Sequence, residues 1–200
     1  DYPEKPIDRG KVLTAEDLNR LGGFARYRDV DGDAIGWRTL PGTRHPKAAY
    51  FTRGSGHNDA AGYTEKPDEY VEVMDRLTRK FENARKLVPG PVVVKDGTSK
   101  VGFLAFGSTD FALRESMDQI KNEFGTDVDY MRIRAYPFAH EIHDFVSSHE
   151  RVYVVEQNRD GQLASLLKLD LPAEQVSKLR SILFYNGLPI DARTITEEFV

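Results

Sequence analysis

From Pro91 onward, short apolar runs alternate with stretches of helical period. Val92 to Lys95 and Val101 to Phe106 read as strands on either side of Asp96-Gly97. That dipeptide signals a hairpin, so the first strand is expected as an antiparallel edge. Gly107 to Asp110 turns into a helix with Leu113, Met117, Ile120 and Phe124 on one face, closed by Gly125. Val128 to Tyr136 is the next strand, and Pro137 opens a helix burying Phe138, Ile142, Phe145 and Val146. The stretch Arg151 to Leu167 then gives a strand at Val152 to Val155 and a polar turn at Glu156 to Asp160. A helix follows from about Gly161, with Asp160 as N-cap and Leu163, Leu166 and Leu167 inward. Pro172 to Leu179 reads as a short helix and Ser181 to Tyr185 as a strand. Asn186-Gly187 is a turn, and Thr194 with Glu197 is a capping box for a terminal helix. The expectation is an α/β fold: a mostly parallel five-stranded sheet with one antiparallel edge strand and helices on both faces.

The first ninety residues follow a different pattern. Thr14 with Asp17 resembles a capping box before a short helix carrying Leu18 and Leu21, which Gly22-Gly23 ends. Arg26 to Val30 and Ile35 to Leu40 flank Asp31-Gly32-Asp33 and read as a hairpin with little core of its own. Thr43 to Thr64 is a long loop with one short strand candidate, Ala48 to Phe51. Loops of this length are functional, interfacial or linkers. Glu65 to Val88 is the clearest helix, with Tyr70, Val73, Met74, Leu77, Phe81, Ala84 and Leu87 as its apolar stripe. Pro67 to Glu69 mark its start and Pro89-Gly90-Pro91 its end. The expected organisation is three parts: 1–40, the hairpin region; 41–90, a connecting loop and long helix; and 91–200, the α/β domain.

Composition narrows the chemistry. The chain has 200 residues, 40% of them hydrophobic, and its formal charge of −4 is spread without a basic block. Nucleic-acid binding is therefore not expected. There are no cysteines, which excludes disulfides, thiol catalysis and cysteine ligation of a cluster by this chain; it suits a reducing compartment. No apolar run reaches the ~18 residues of a membrane span. A chain opening Asp1-Tyr2-Pro3 without Met is expected to be part of something longer.

Several residue groups carry candidate chemistry. Gly102, Gly107, Ser108 and Thr109 mimic a phosphate loop, but the Lys is missing and Gly102 lies inside a strand, so a triphosphate site is rejected. The helix start at Ser108 to Asp110 could hold an anion or be a plain cap. Asp29, Asp31 and Asp33 lack the Gly and Glu positions of a calcium loop. His140 and His143 lack zinc-protease spacing. Arg38, Arg44, Arg53, His45 and His57 gather in the loop region, where they suit either an anion or a charge-paired interface. Glu156, Gln157 and Asn158 stand at a strand's carboxyl end. There they contact a cofactor or partner domain, or else Asn158 and Asp160 simply make the turn.

The segments PGTRHPKAAYFTRGSGHNDAAGYTEKPDEYVEVMDRLTRKF, FGSTDFALRESMDQIK, MRIRAYPF and VYVVEQNRDGQLASLL resemble the alpha subunit of 2-oxoacid:ferredoxin oxidoreductases, the 2-oxoglutarate type in particular. The most specific pieces are the glycine- and histidine-containing loop, RIRAYPF and VEQNRDGQL. The resemblance covers essentially the whole chain as the C-terminal part of that subunit. It implies a transketolase C-terminal-like domain from about Val92, preceded by the tail of a pyrimidine-binding domain. It also implies an enzyme converting a 2-oxoacid, coenzyme A and oxidised ferredoxin to acyl-CoA, CO2 and reduced ferredoxin. Thiamine diphosphate, magnesium and an iron–sulfur cluster are implied for the whole enzyme, with none bound by this chain. The partners implied are upstream domains of the same subunit, a beta subunit and, indirectly, ferredoxin, in a cytoplasmic dimer of heterodimers. No catalytic or metal-ligating residue is expected here. The ligand- or interface-edge candidates are Arg38, Arg44, His57, Ser108, Glu156 and Asn158. The role implied is structural; a small-anion or coenzyme A contact and a free-standing binding module are the alternatives.

Overall fold

The computed structural model describes residues 4, 6–52, 54–95 and 98–199. It divides into two compact units, residues 1–84 and 85–200. Among the described residues no helix is long and apolar enough to cross a membrane.

The second unit carries the sheet. Its strands are β1 (Val92–Val94), β2 (Val101–Phe106), β3 (Asp129–Ile133), β4 (Arg151–Glu156) and β5 (Leu179–Leu183), in the order β1-β3-β2-β4-β5. All pairs are parallel except β1 with β3. Alternate residues of each central strand face opposite layers. Leu104, Met131, Val152 and Val154 pack with α4 (Glu141–Ser148) and α5 (Gln162–Asp170). Phe103, Tyr130, Tyr153 and Val155 pack with α3 (Thr109–Phe124) and the terminal α7 (Ala192–Glu198). α6 (Ala173–Val176) leads into β5. The expected α/β class, five strands and antiparallel edge are all present.

The partner of that edge strand is not the expected one. β1 pairs with β3, not with β2 (Val92 opposite Arg132, Val94 opposite Tyr130). Asp96 and Gly97 lie outside the described residues. The connection over 95–100, at about 3.3 Å per residue, is long enough to step across one strand position. β3 is almost wholly buried and lies between two neighbours, whereas all three valines of β1 are exposed. The longer strand, which packs side chains on both faces (Tyr130 on one, Met131 and Ile133 on the other), takes the interior position.

Two caps also differ. The α5 N-cap is Gly161, in the left-handed region at φ 61°, without a side-chain cap bond; Asp160 pairs with Arg159. Helix α7 begins earlier than the Thr194 box, with Asp191 as its N-cap accepting the Thr194 amide. Leu166, expected inward, is exposed.

In the first unit α1 (Ala15–Leu21) has the expected capping box between Thr14 and Asp17 and ends at Gly22, φ 67°. α2 runs Pro67–Ala84. The hairpin over 26–40 does not form, and Ala48 to Phe51 is not a strand. Instead Arg38 makes an isolated parallel bridge with Val12. The aspartates explain this. Asp29 Oδ1 accepts the Gly32 amide and Asp33 Oδ1 the Ile35 amide, so local side-chain bonds replace a cross-strand ladder. Lys11 stands 2.6 Å from both Asp31 and Asp33 and fixes the loop.

Candidate functional site

The second unit's parallel strands end in loops on one edge of the sheet, where ligands bind in open α/β folds. The chain goes from β2 through α3 on one face, and from β4 through α5 on the other. The loops after β2 and β4 therefore flank the point where the connections reverse direction. Gln157 ties them together: its Nε2 donates to Thr109 Oγ1 at 3.1 Å, and its Oε1 accepts the Ile190 amide at 3.1 Å.

Glu156 and Asn158 come together, with Glu156 buried and Asn158 half-buried over it. The Glu156 side chain is fully buried. Its Oε2 accepts the Leu163 amide and Asn158 Nδ2, each at 2.7 Å, and Oε1 accepts the Ala164 amide at 3.1 Å. Asn158 Oδ1 accepts the Gln162 amide at 3.2 Å. This buried carboxylate does the work of an N-cap, and its charge complements the positive end of α5. Sequence reading missed the role because a capping residue is sought immediately before the helix, and Glu156 closes the preceding strand. Ser108 is exposed at the start of α3 and makes no side-chain cap bond.

Across β3, Asp110 is shared by two guanidiniums, Arg114 at 3.2 Å and Arg132 at 3.5 Å. Burial, and then the neighbouring Asp110 carboxylate, push the Tyr130 phenol well above its usual range. Beside this cluster lies a cleft of about 820 Å³ at the ends of β2 and β3 and the start of α5. Ile133, Phe138 and Leu163 are buried in its floor, and Phe106, Tyr136 and Leu166 are exposed on its rim. Arg132, Arg134 and Gln162 also line it. The RIRAYPF stretch thus forms one wall.

The loop candidates of the first unit do not gather into one site. Arg38 donates to the Arg9 carbonyl at 2.7 Å. Arg44 is exposed. His57 bonds through Nδ1 to the Ser55 carbonyl at 2.8 Å, and its ring packs on Tyr27 at 4.3 Å. His45 bonds to Asn19, and Arg53 lies outside the described residues. Asp29, Asp31 and Asp33 bring carboxylate oxygens within 4.8 Å of one another, and the cation among them is Lys11. In the second unit His143 approaches Asp170 at 3.4 Å, and Arg85 grips the same carboxylate with a two-pronged contact, at 2.9 and 3.0 Å.

No family model matches the chain. It is 30% identical, over 95% of its length, to 2-oxoacid:ferredoxin oxidoreductase 2, subunit alpha, of Aeropyrum pernix. It is 26% identical, over 92% of its length, to the corresponding alpha subunit of Saccharolobus solfataricus. The chain is homologous to part of the alpha subunit of 2-oxoacid:ferredoxin oxidoreductases. It spans only 28% of the length of either of these relatives. The fold agrees: a 2-oxoglutarate:ferredoxin oxidoreductase from Magnetococcus marinus, solved with 2-oxoglutarate, coenzyme A and succinyl-CoA bound, superposes with a TM-score of 0.73. That match has 23% identity and covers 89% of this chain and 30% of that one.

Proposed function

We propose that this chain is an architectural domain of a thiamine diphosphate-dependent 2-oxoacid:ferredoxin oxidoreductase and performs none of the chemistry by itself. In this reading residues 1–40 are the tail of the pyrimidine-binding domain, 41–90 the connection and 91–200 the domain that supports its neighbours. Thiamine diphosphate, magnesium, the iron–sulfur cluster and coenzyme A are handled by other parts of the enzyme, in a cytoplasmic dimer of heterodimers.

One observation carries the reading. The polar side chains at the carboxyl end of β4, beside the point where the connections reverse, are spent on internal bonds: Glu156 and Asn158 hold α5, and Gln157 holds α3. A coenzyme A contact through Ser108, Glu156 and Asn158 would need the last two turned outward, which would leave the α5 amides without acceptors. Gly32-Asp33 with Asn58, a partial likeness to a thiamine-binding motif that lacks its second Gly and its strand–helix setting, does not fit a cofactor either. Asp33 pairs with Lys11, and Asn58 Oδ1 accepts the Ala60 and Gly62 amides.

Support for assembly comes from α2, which leaves Tyr70, Val71, Met74 and Phe81 exposed. Exposed apolar stripes of this kind mark protein contacts. The test is sedimentation of the complete alpha subunit with a beta subunit, with and without residues 67–200, a segment that includes α2. The reading expects a stable complex only when the segment is present. A complex of equal stability and activity without it would overturn the reading.

A further inference from the structure

The cleft at the carboxyl ends of β2 and β3 has a use that the architectural role leaves unassigned. Its volume of about 820 Å³ falls within the range of small-molecule sites, roughly 300–1,000 Å³. Its walls are two-sided in character. Phe106, Tyr136 and Leu166 keep 46%, 56% and 40% of their surface exposed over the buried floor of Ile133, Phe138 and Leu163. An apolar surface left open around a concave floor is unfavourable until something covers it.

The charge in the cleft is of one sign. Arg132 shares the single carboxylate of Asp110 with Arg114, so that group of three carries a net positive charge. Among the described residues no carboxylate pairs with Arg134. Its guanidinium reaches the Gly90 carbonyl at 3.5 Å, the outer limit of a hydrogen bond. This surplus is local, in a chain whose formal charge is −4. The α5 amides beside the cleft cannot supply the anion contact. Those of Gln162, Leu163 and Ala164 are already bonded to Asn158 and Glu156. Recognition of a charge falls to the arginine forks, which match carboxylate and phosphate oxygens in pairs.

We propose that this cleft binds an amphipathic anion, with its apolar body over Phe106, Tyr136 and Leu166 and its carboxylate or phosphate head at Arg134. The site takes both halves of such a ligand together. The head alone meets one exposed arginine, and the body alone meets an open groove.

Isothermal titration of the full chain with octanoate, octyl phosphate and octanol tests this. Saturable binding of at least one anion is expected, with octanol weaker by about tenfold or more. The stronger of the two anions identifies the head. Arg134→Ala should weaken the anion by a similar factor and leave octanol unchanged. Arg134→Lys, which keeps the charge but not the fork, should fall between. Arg193→Ala on α7, paired with Glu123, should bind like the parent chain. Because Arg134 is exposed, unchanged far-UV dichroism is expected in its variants. Equal binding of anion and alcohol, an unchanged affinity in Arg134→Ala, or no saturable binding of any probe would overturn the proposal.

Discussion

The ring of Phe145 occupies the space that a side chain at Gly102 would need. A Cβ built on Gly102 would lie 2.7 and 2.8 Å from two ring carbons of Phe145 and 3.3 Å from Cγ of His149. The C-terminal turn of α4 therefore sits directly on the backbone of β2. Gly102→Ala sets two effects against each other. Restricting the unfolded chain would stabilise by up to about 1 kcal/mol, while overpacking costs about 1–3 kcal/mol. The contact involves a ring enclosed on all sides, so overpacking should win. Urea unfolding should show a net loss of about 1–2 kcal/mol. Phe145→Leu in the same background should recover part of it, a coupling that a double-mutant cycle measures.

Glu156→Gln tests the buried cap of α5. The carboxylate accepts bonds from two α5 amides and from Asn158. An amide in its place turns an NH2 toward one of these donors. A loss of about 2 kcal/mol is expected from the stranded group. Amide exchange at Leu163 and Ala164 should quicken more than in β4. Equal quickening throughout would mean that Glu156 acts on the whole fold rather than on this helix end.

Asp170 should govern part of the acid stability. Hydrogen bonding from Arg85 holds its carboxyl below the usual carboxylate range. Burial opposes this shift, and His143 adds to it. The folded-state value is depressed, so the contribution is complete above the unfolded value of about 3.9. It shrinks as pH falls below that and is gone once pH passes under the folded value. Thermal melts between about pH 5 and 2 should fall less steeply in Asp170→Asn than in the parent chain. Parallel curves would remove Asp170 from the account.

The elements of the second unit were legible in the sequence because two periods alternate cleanly there. Phe103 with Ala105 and Tyr153 with Val155 face one layer, and Leu104, Val152 and Val154 the other. Strand neighbours were harder to read. Asp96-Gly97 is a local signal, whereas the place of β1 beside β3 is a pairing between strands far apart in the chain. The first unit misled for a related reason. Asp29 and Asp33 satisfy nearby amides with their own side chains, so alternation over 26–40 never becomes a ladder. At the candidate site the sequence singled out Glu156 and Asn158. It left open whether they face a ligand or build the turn, and that depends on side-chain direction, which spacing does not encode.

The exposed face of α2 gives a prediction that separates assembly from folding. Met74 and Phe81 are exposed on a helix whose inward contacts come from Val73 and Arg76. Arg76 reaches the Ala34 carbonyl at 2.9 Å, and Asn83 the Asp33 carbonyl at 2.8 Å. Those anchors are untouched by changes on the opposite side. Met74→Gln and Phe81→Gln keep residues compatible with a helix and remove no internal contact of this kind. Each should alter the urea midpoint by no more than the equivalent of about 0.5 kcal/mol. If the stripe is covered in the proposed oxidoreductase, the pair should weaken assembly by about tenfold or more, since large apolar anchors dominate interfaces. Sedimentation of the complete enzyme against concentration reads that shift. Unchanged assembly together with unchanged stability would mean that α2 makes no contact in the proposed assembly, and any contacts of this chain would then have to be sought on another surface.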